Sequence, residues 1–213
     1  MRAAFIHSPR IEEYSYPEGC PFRTERAALT RDKLLSMGLL GGKDCRVVEP
    51  EPASREELLR FHAERYLDVL RAGSQGYLDG EGLGMVLCTE ETPVFAGMLE
   101  YAALACGASL KGAELILSGE LDVAFNPSGG YHHAHAARAG GFCYLNDVVL
   151  ACQRLADAGK RVFFLDIDVH HCDGVQDAFY TRKDVITLSF HQDPRTIYPW
   201  TGAVEEIGEG GGR

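Results

Sequence analysis

Apolar residues follow two patterns that alternate along the chain: short unbroken runs and longer stretches with helical spacing. The short runs predict strands over residues 3–7, 46–48, 123–126, 161–168 and 185–190. The helical spacing predicts helices over residues 26–40, 54–61, 63–71, 92–117, 145–158 and 175–180. The glycine-rich segment 73–87 is predicted to be a loop.

The alternation of strands and helices predicts an α/β fold with three layers, α/β/α, around a mainly parallel sheet. The run 162–165 is continuously apolar, which is typical of a parallel strand covered on both faces. No repeat or linker divides the sequence, so residues 1–213 are expected to form a single domain. Ligands of such sheets bind beyond the carboxyl ends of the strands, and the two densest polar clusters of this sequence follow predicted strands.

The composition is that of a globular protein, and it narrows the classes of partner. The 213 residues are 46% hydrophobic and 24% charged, with 21 basic and 31 acidic side chains and a net charge of −10. These values exclude a disordered or collagen-like chain, and the acidic surface argues against nucleic acid as a direct ligand. No apolar stretch reaches the roughly 20 residues that cross a bilayer, so no membrane partner is expected.

The cysteines indicate a reducing compartment. Seven cysteines are scattered along the chain without CxxC spacing, which is typical of reduced thiols rather than of a disulfide framework or a cysteine zinc site. The first residues also turn polar too early for a signal peptide. The expected localisation is therefore cytoplasmic.

The first polar cluster spans residues 166–173 and directly follows the apolar run of the fourth predicted strand. Side chains alternate faces along a strand, so Asp166, Asp168 and His170 are expected on one side, with Ile167 and Val169 packing on the other. A carboxylate and an imidazole are ordinary ligands of catalytic zinc, and Asp168 with His170 would form half of such a site. The alternative is a strand end with solvated acids, which explains poorly why the charges follow a fully apolar strand.

The second cluster contains two adjacent histidines, His132 and His133, after a glycine pair. Such a pair could be bases, acids or metal ligands, and by itself it is a weak signal. It becomes persuasive beside the first cluster, because Asp166 and Asp173 are then available to orient the imidazoles. His135 is interpreted as an ordinary surface or core histidine. Cys143 is a conceivable nucleophile, but a buried free cysteine is the commoner role.

Three motifs in this order resemble the zinc-dependent histone deacetylase family of the arginase–deacetylase superfamily. They read GGYHHA from residue 129, GFCYLND from residue 141 and DIDVHHCDG from residue 166. The segments 193–199 and 204–210 are most similar to bacterial acetoin-utilisation deacetylases. The resemblance covers essentially the whole chain and implies the arginase–deacetylase fold.

The resemblance implies a role for each matching residue. It implies catalytic roles for His132, His133, Asp166 and Asp173, zinc ligation by Asp168 and His170, and a structural potassium site at Asp166, Asp168, His170, Ser189 and Phe190. It implies substrate contacts for Arg26, Glu91, Gly141, Phe142 and Tyr198. His133 is the expected general base and acid, oriented by Asp173, while Asp166 orients His132. The metal is expected to be zinc, with iron(II) as the alternative.

Two kinds of departure from the family pattern affect this interpretation. Local differences occur at Cys20, Glu91, Cys172 and Trp200. The larger difference is that the family pattern continues beyond Arg213 to a third zinc-ligating aspartate and a tyrosine that polarises the acetyl carbonyl. The domain is therefore expected to be incomplete at its C-terminus, lacking C-terminal strands that would include two inside the sheet. A missing segment or an oligomer would supply them.

The function expected from the sequence is hydrolysis of the acetyl amide of acetyl-lysine, in a histone-like or other protein, or of a related acetylamine. A zinc-activated water and the histidine pair would carry out this reaction. Two alternatives stay open. One is a catalytically inactive fragment that binds a metal or a partner, and the other is an arginase-like manganese hydrolase.

Overall fold

The computed structural model describes residues 1–42 and 44–213, in which five strands alternate with helices. The strands are β1 (Ala3–Ile6), β2 (Cys45–Val48), β3 (Val123–Phe125), β4 (Val162–Asp166) and β5 (Val185–Ser189). The α-helices are α1 (Arg26–Ser36), α2 (Arg55–Leu58), α3 (Glu64–Ser74), α4 (Gly80–Gly84), α5 (Met98–Leu117), α6 (Asp147–Asp157) and α7 (Asp173–Phe179). All five predicted strands are present, each within about two residues of its expected bounds.

The described strands form two separate parallel sheets. The first has the order β2-β1-β3, and the second pairs β4 with β5. Ala3 is in register with both Cys45 and Val123, and Asp166 is in register with Ser189. The prediction of parallel pairing is confirmed, and the strands divide between β3 and β4.

Helix α5 forms the centre of the molecule because its sequence is rich in small residues. Alanine and glycine side chains let a helix approach a sheet closely, and Ala108 of α5 packs with Ala4 and Ile6 of β1. On the other side of β1, where Phe5 and His7 point, Arg31 of α1 contacts His7. Helix α5 also packs along α6, which lies beside β4. These two helices therefore connect the two sheets.

One face of the β4–β5 sheet is open, so the expectation of a strand covered on both faces is wrong. Val162 and Phe164 pack against the core beneath α6 and α7. The alternate side chains Phe163 and Leu165 are 60% and 47% exposed. The physical reason is that both helices cover the same face, and no other described element covers the opposite one.

Several helix ends differ from the predicted bounds for local reasons. Helix α1 ends at Ser36 rather than at residue 40, because Gly38 adopts a positive φ and turns the chain. Helix α5 begins at Met98 rather than at residue 92, after Gly97 in the left-handed region. Residues 73–87 contain the end of α3 and all of α4, so they are not a simple loop. Ser54 and Glu57 form a capping box at the start of α2.

Among the described residues, no helix is both long and apolar enough to cross a membrane.

Candidate active site

Most of the predicted site residues surround one cavity of about 1140 Å³ that lies between the two sheets. The loops after β3 and β4 meet there, at the carboxyl ends of the strands. The predicted residues that line it are Arg26, Glu91, His132, His133, Gly141, Phe142, Asp166, Asp168, His170 and Tyr198. Asp173 lies just behind this wall, bonded to His133. Ser189 and Phe190 lie outside the cavity wall, beside Asp166 at the end of β5.

His132 and Asp166 form the first buried pair of the site. Nδ1 of His132 lies 2.7 Å from Oδ2 of Asp166, and both side chains are less than a tenth exposed. Burial alone would raise the pKa of Asp166, but the hydrogen bond and charge of His132 outweigh it, so this pKa lies below its usual value. The ionised carboxylate fixes the ring of His132 and directs its Nε2 away from Asp166.

His133 and Asp173 form the second pair, with Nδ1 of His133 2.7 Å from Oδ1 of Asp173. Burial lowers the pKa of His133 below its ordinary value, although Asp173 acts in the opposite direction. Burial would raise the pKa of Asp173, yet hydrogen bonds from His133 and His135 hold it well below its usual range. A neutral imidazole therefore faces the cavity with an ionised carboxylate behind it.

Gly174 makes the second pair possible. A β-carbon at Gly174 would lie 2.6 Å from the carbonyl oxygen of His132 and would also overlap the carbonyl of Ala134. The absence of this atom lets the first turn of α7 approach the histidine segment. Asp173, the first residue of α7, is thereby brought within reach of His133.

The two predicted metal ligands, Asp168 and His170, lie side by side at the cavity wall. Nδ1 of His170 is 2.9 Å from Oδ1 of Asp168, and the amide of Asp168 donates to Oδ1 of Asp166 at 2.8 Å. Both side chains are about one-third to one-half exposed. Within the described part of the chain, no group of three His, Cys, Asp or Glu side chains is arranged to hold a metal.

The expected packing of Ile167 and Val169 is wrong. Their exposed fractions are 79% and 49%, because β4 ends at Asp166 and the chain continues as bends rather than as a strand. Strict alternation therefore does not apply to these residues. The amide groups of Asp168 and His170 instead donate to Asp166 and Asp168, and these turns keep the polar side chains at the cavity.

Aromatic rings form one wall of the cavity. The ring of Phe142 stacks on that of Phe22 with centroids 5.7 Å apart, and its carbonyl accepts a hydrogen bond from the hydroxyl of Tyr16 at 2.6 Å. Tyr198 meets His133 edge-on at 4.9 Å. Gly141 has a positive φ, and a β-carbon there would overlap the ring of His133. This wall lies directly beside the two histidines.

The remaining predicted substrate contacts lie at the edge of the same cavity. The guanidinium carbon of Arg26 lies 5.2 Å from the centroid of Phe22, and its Nε donates to the carbonyl of Arg23 at 3.2 Å. Glu91 lines the cavity with an exposed side chain. The site thus has cations, Arg23 and Arg26, and the anion Glu91 at its edge.

Ser189 and Phe190, predicted as potassium ligands, lie beside Asp166 but do not line the cavity. The amide of Phe190 donates to the carbonyl of Asp166 at 2.9 Å. The hydroxyl of Ser189 lies 2.8 Å from Nδ1 of His191. The structure therefore brings the five predicted potassium residues to one end of the β4–β5 sheet.

The sequence interpretation missed two residues that shape the site. Asp147 is fully buried and accepts hydrogen bonds from the amides of Gly130 and Tyr131 at 3.0 and 2.8 Å, which fixes the turn before the histidines. Asn146 caps α6 and donates to the carbonyl of Ala134 at 2.8 Å. An Asn-Asp pair directly before an apolar helix is a recognisable N-terminal signal, but it does not indicate the loop that these side chains reach.

Two histidines were also missed. His62 is buried, and its Nε2 accepts a hydrogen bond from the amide of Asn146 at 3.0 Å. His135 is mostly buried, and its ring lies 3.1 Å from Asp173, a contact that the sequence did not indicate. Neither has a local sequence signal, because both contacts join segments that are distant in the chain.

The cysteines near the site are buried. Burial raises the pKa of the Cys143 thiol and raises that of Cys172 to about 12. Thiols of this kind are not nucleophilic near neutral pH. The interpretation of Cys143 as a buried structural thiol agrees with this geometry.

Comparison with known proteins gives consistent matches. The family described as the histone deacetylase domain matches residues 20–213. The acetoin utilization protein AcuC of Bacillus subtilis is 40% identical over 214 residues, an alignment that covers 99% of this chain and 54% of AcuC. The histone deacetylase RPD3 of Saccharomyces cerevisiae is 36% identical, with 100% and 49% covered. The chain spans about half the length of these curated relatives.

Solved structures give the same result for the fold. The crystal structure of an HDAC homolog from Aquifex aeolicus matches with a TM-score of 0.90 and 37% identity, covering 100% of this chain and 57% of the other. An HDAC homolog complexed with SAHA matches equally well. The architecture is therefore the three-layer α/β/α arrangement of these proteins, matched over part of their length.

Proposed function

The chain belongs to the histone deacetylase family, and on that basis we propose that the protein hydrolyses the acetyl amide of acetyl-lysine in a protein substrate, or of a related acetylamine. The observation that carries this proposal is the pair of buried His–Asp hydrogen bonds, each 2.7 Å long, beside Asp168 and His170 in one cavity. Amide hydrolysis needs a base, an acid and stabilisation of a developing oxyanion. The first two requirements are met by residues of this chain.

His133 is the proposed general base and general acid. A base must be unprotonated before the reaction, and burial lowers the pKa of His133. Asp173 then stabilises the imidazolium that forms when His133 takes a proton from the attacking water. His133 returns this proton to the leaving lysine amine. His132, held by Asp166, is proposed to orient the water and the developing oxyanion.

The donors present fit half of a metal site. Asp168 and His170 present a carboxylate oxygen and an imidazole nitrogen 2.9 Å apart at the same cavity, and both are ligands that catalytic zinc takes. We propose that they hold zinc, with iron(II) as the alternative. When bound, zinc supplies a Lewis acid and lowers the pKa of water to about 7.

The substrate is proposed to enter between Phe142 and Tyr198. An aromatic channel favours the neutral acetyl-lysine stem over a charged lysine, because charge loses solvation there. Glu91 at the edge can accept a hydrogen bond from a substrate amide, while Arg26 and Gly141 contact its other parts. SAHA, which a homolog binds, is a suitable probe of this channel.

Potassium is proposed at the end of the β4–β5 sheet, held by Asp166, Asp168, His170, Ser189 and Phe190. Oxygen-rich strand ends suit a hard monovalent cation. Its role would be to fix the segment that carries Asp168 and His170. Cytoplasmic localisation is also proposed, in keeping with seven unpaired cysteines.

Further polypeptide is proposed to complete the site. Catalytic zinc normally has three protein ligands, and the described residues hold no group of three. A second cavity of about 500 Å³ lies between α5, α6 and β3, at the division between the sheets. We propose that parallel strands supplied by a C-terminal segment or another chain occupy this division and bring the remaining ligand.

A second candidate function is metal or partner binding without catalysis, and the two-donor metal site favours it for these 213 residues alone. The test compares this chain, this chain mixed with the unmatched half of AcuC, and intact AcuC, each loaded with zinc. The measurements are zinc stoichiometry and hydrolysis of an acetyl-lysine peptide, before and after chelation.

The expected result is metal-dependent hydrolysis by intact AcuC and by the mixture, and little or none by the chain alone. Efficient hydrolysis by the chain alone would contradict the need for further polypeptide. Hydrolysis by the mixture that survives chelation would contradict the metal-dependent mechanism. Zinc binding by the mixture with no hydrolysis would favour the binding role.

A further inference from the structure

The two oxygens of Asp173 are shared between two histidines. Oδ1 lies 2.7 Å from Nδ1 of His133, and Oδ2 lies 3.1 Å from Nε2 of His135. Among the described residues, these imidazoles are the only side chains hydrogen-bonded to this carboxylate. Asp173 is nearly fully buried, so both oxygens depend on these partners rather than on water. Its orientation is therefore set from two sides.

His135 is itself held in place by its surroundings. Its amide donates to the carbonyl of Arg138 at 3.0 Å, and its Nδ1 lies 3.3 Å from Oδ2 of Asp177. Asp173 and Asp177 are four residues apart on α7 and so face the same side of that helix. The imidazole of His135 lies between their carboxylates, and only about one-eighth of its side chain is exposed.

The protonation of His135 decides which neighbour it bonds. Nη2 of Arg138 lies 2.7 Å from the same Nε2 that faces Asp173. An unprotonated Nε2 can accept from Arg138, whereas only a protonated Nε2 can donate to Asp173. Burial acts to lower the pKa of His135, but hydrogen bonds to Asp173 and Asp177 outweigh it and raise this pKa. The other histidines nearby are His133 and the buried His62.

We propose that His135 is a positioning residue that holds Oδ2 of Asp173 so that Oδ1 faces His133. The catalytic consequence rests on the proposed deacetylase function, in which His133 moves the proton. Without His135, the carboxylate loses one of its two partners and can rotate about its χ2 angle. The His133–Asp173 bond would then form for a smaller fraction of the time.

Three variants of the 213-residue chain separate positioning from a general effect on folding. His135→Phe keeps a ring of similar shape and removes both nitrogens. His135→Gln restores a single amide donor that can reach Asp173. Asp177→Glu is the matched control, because it changes the other neighbour of His135 but keeps a carboxylate beside Nδ1, and so leaves both hydrogen bonds of Asp173 in place.

The first measurement is proton NMR of the Nδ1–H of His133, which resonates far downfield when bonded to a carboxylate. In His135→Phe we expect this proton to exchange with water about tenfold faster, since a hydrogen bond to a charged group is worth at least that factor. His135→Gln should restore slow exchange, and Asp177→Glu should retain it. Unchanged exchange in His135→Phe, with the remaining amide spectrum intact, would overturn the proposal.

Folding and activity failures are distinguished by further readouts. If His135→Phe does not fold, His135→Gln decides the proposal. The His133 ring proton of His135→Gln should exchange with water at nearly the rate seen in the unmodified chain. Exchange more than about tenfold faster in this variant would overturn the proposal. In the zinc-loaded complex with the unmatched half of AcuC, His135→Phe should lower kcat about tenfold at unchanged KM. If the complex of the unmodified chain is inactive but the expected changes in proton exchange are seen in the variants, the deacetylase proposal fails while the role of His135 is supported.

Discussion

The ring of Tyr198 meets the ring of His133 edge-on, with their centroids 4.9 Å apart. The contact joins the loop after β5 to the loop after β3. The residue proposed to wall the substrate channel therefore touches the proposed general base directly. A substitution of Tyr198 can therefore displace the imidazole of His133 through a single van der Waals contact.

Gly141→Ala should also disturb the proposed general base. Gly141 has a φ of +45°, and a β-carbon there would overlap the ring of His133. In the zinc-loaded complex with the unmatched half of AcuC, we expect kcat to fall at least about tenfold, because small displacements of catalytic groups have effects of this size. We also expect the His133 ring proton to exchange faster with water. Gly159→Ala is the control, because Gly159 also has a positive φ but no atom near its missing β-carbon. Equal effects of the two variants on kcat would show that backbone strain alone is responsible.

His133→Ala and Asp168→Ala should fail in different ways. His133→Ala should lower kcat by about 10²–10⁴-fold, the usual contribution of general acid–base catalysis, while zinc content stays near that of the unmodified protein. Asp168→Ala should instead lose zinc, because it removes one of the two donors present. Zinc content and turnover of the active complex are measured together. The reverse pattern would mean that the two roles are interchanged.

His62 should make the stability of the chain depend on pH. Burial lowers the pKa of His62 from 6.5 to about 4, so the unfolded chain binds a proton at a higher pH than the folded chain does. The free energy of unfolding should therefore fall as the pH falls from 6.5 to about 4, with His62 contributing about 3 kcal/mol of this loss. Urea unfolding at pH 6.5 and at about pH 4 measures this change in the free energy of unfolding.

His62→Gln is the matched variant for this effect. Glutamine keeps an acceptor for the amide of Asn146 but does not titrate. The variant should lose less stability between the two pH values, by about the share assigned to His62. An identical pH dependence in both proteins would show that His62 is not responsible.

Phe163 and Phe164 are adjacent in β4, and replacing each with threonine should affect different properties of the protein. Phe163 is 60% exposed, whereas Phe164 packs against the core beneath α6 and α7. Phe163→Thr should reduce self-association of the 213-residue chain, since exposed apolar patches promote it, and should leave the free energy of unfolding nearly unchanged. Phe164→Thr should lower that free energy by about 1 kcal/mol or more. Sedimentation velocity and urea unfolding test the pair, and a large loss of stability in Phe163→Thr would show that this face is covered.

The sequence predicted the strands and the main site residues because both depend on local patterns. Asp166 follows an apolar run directly, and His133 follows two glycines, so each could be placed at the end of a strand. The pairing of His133 with Asp173 was implied by the family resemblance and not by a local pattern. The other features follow from the position of polar residues relative to strand ends.

The rest of the site depends on distances across the fold. The role of His135 requires α7 to approach the histidine segment, which happens because Gly174 lacks a side chain. The exposure of Ile167 follows from the end of β4 at Asp166, and no periodicity indicates where a buried-looking strand will stop. The open face of Phe163 depends on which side the helices cover, and apolarity alone cannot distinguish one covered face from two.

The division of the strands into two sheets bears on how the molecule opens. Within the described part of the chain, no backbone hydrogen-bond ladder joins β3 to β4. The part of the molecule that contains the first sheet contacts the part that contains the β4–β5 sheet through α5, α6 and the two buried His–Asp pairs. Segments connected in this way tend to open as separate cooperative units in hydrogen exchange. His132 and His133 belong to one unit, and Asp166 and Asp173 belong to the other. The two His–Asp pairs, which are proposed to be catalytic, therefore exist only while the two units are docked, and their hydrogen bonds hold the units together.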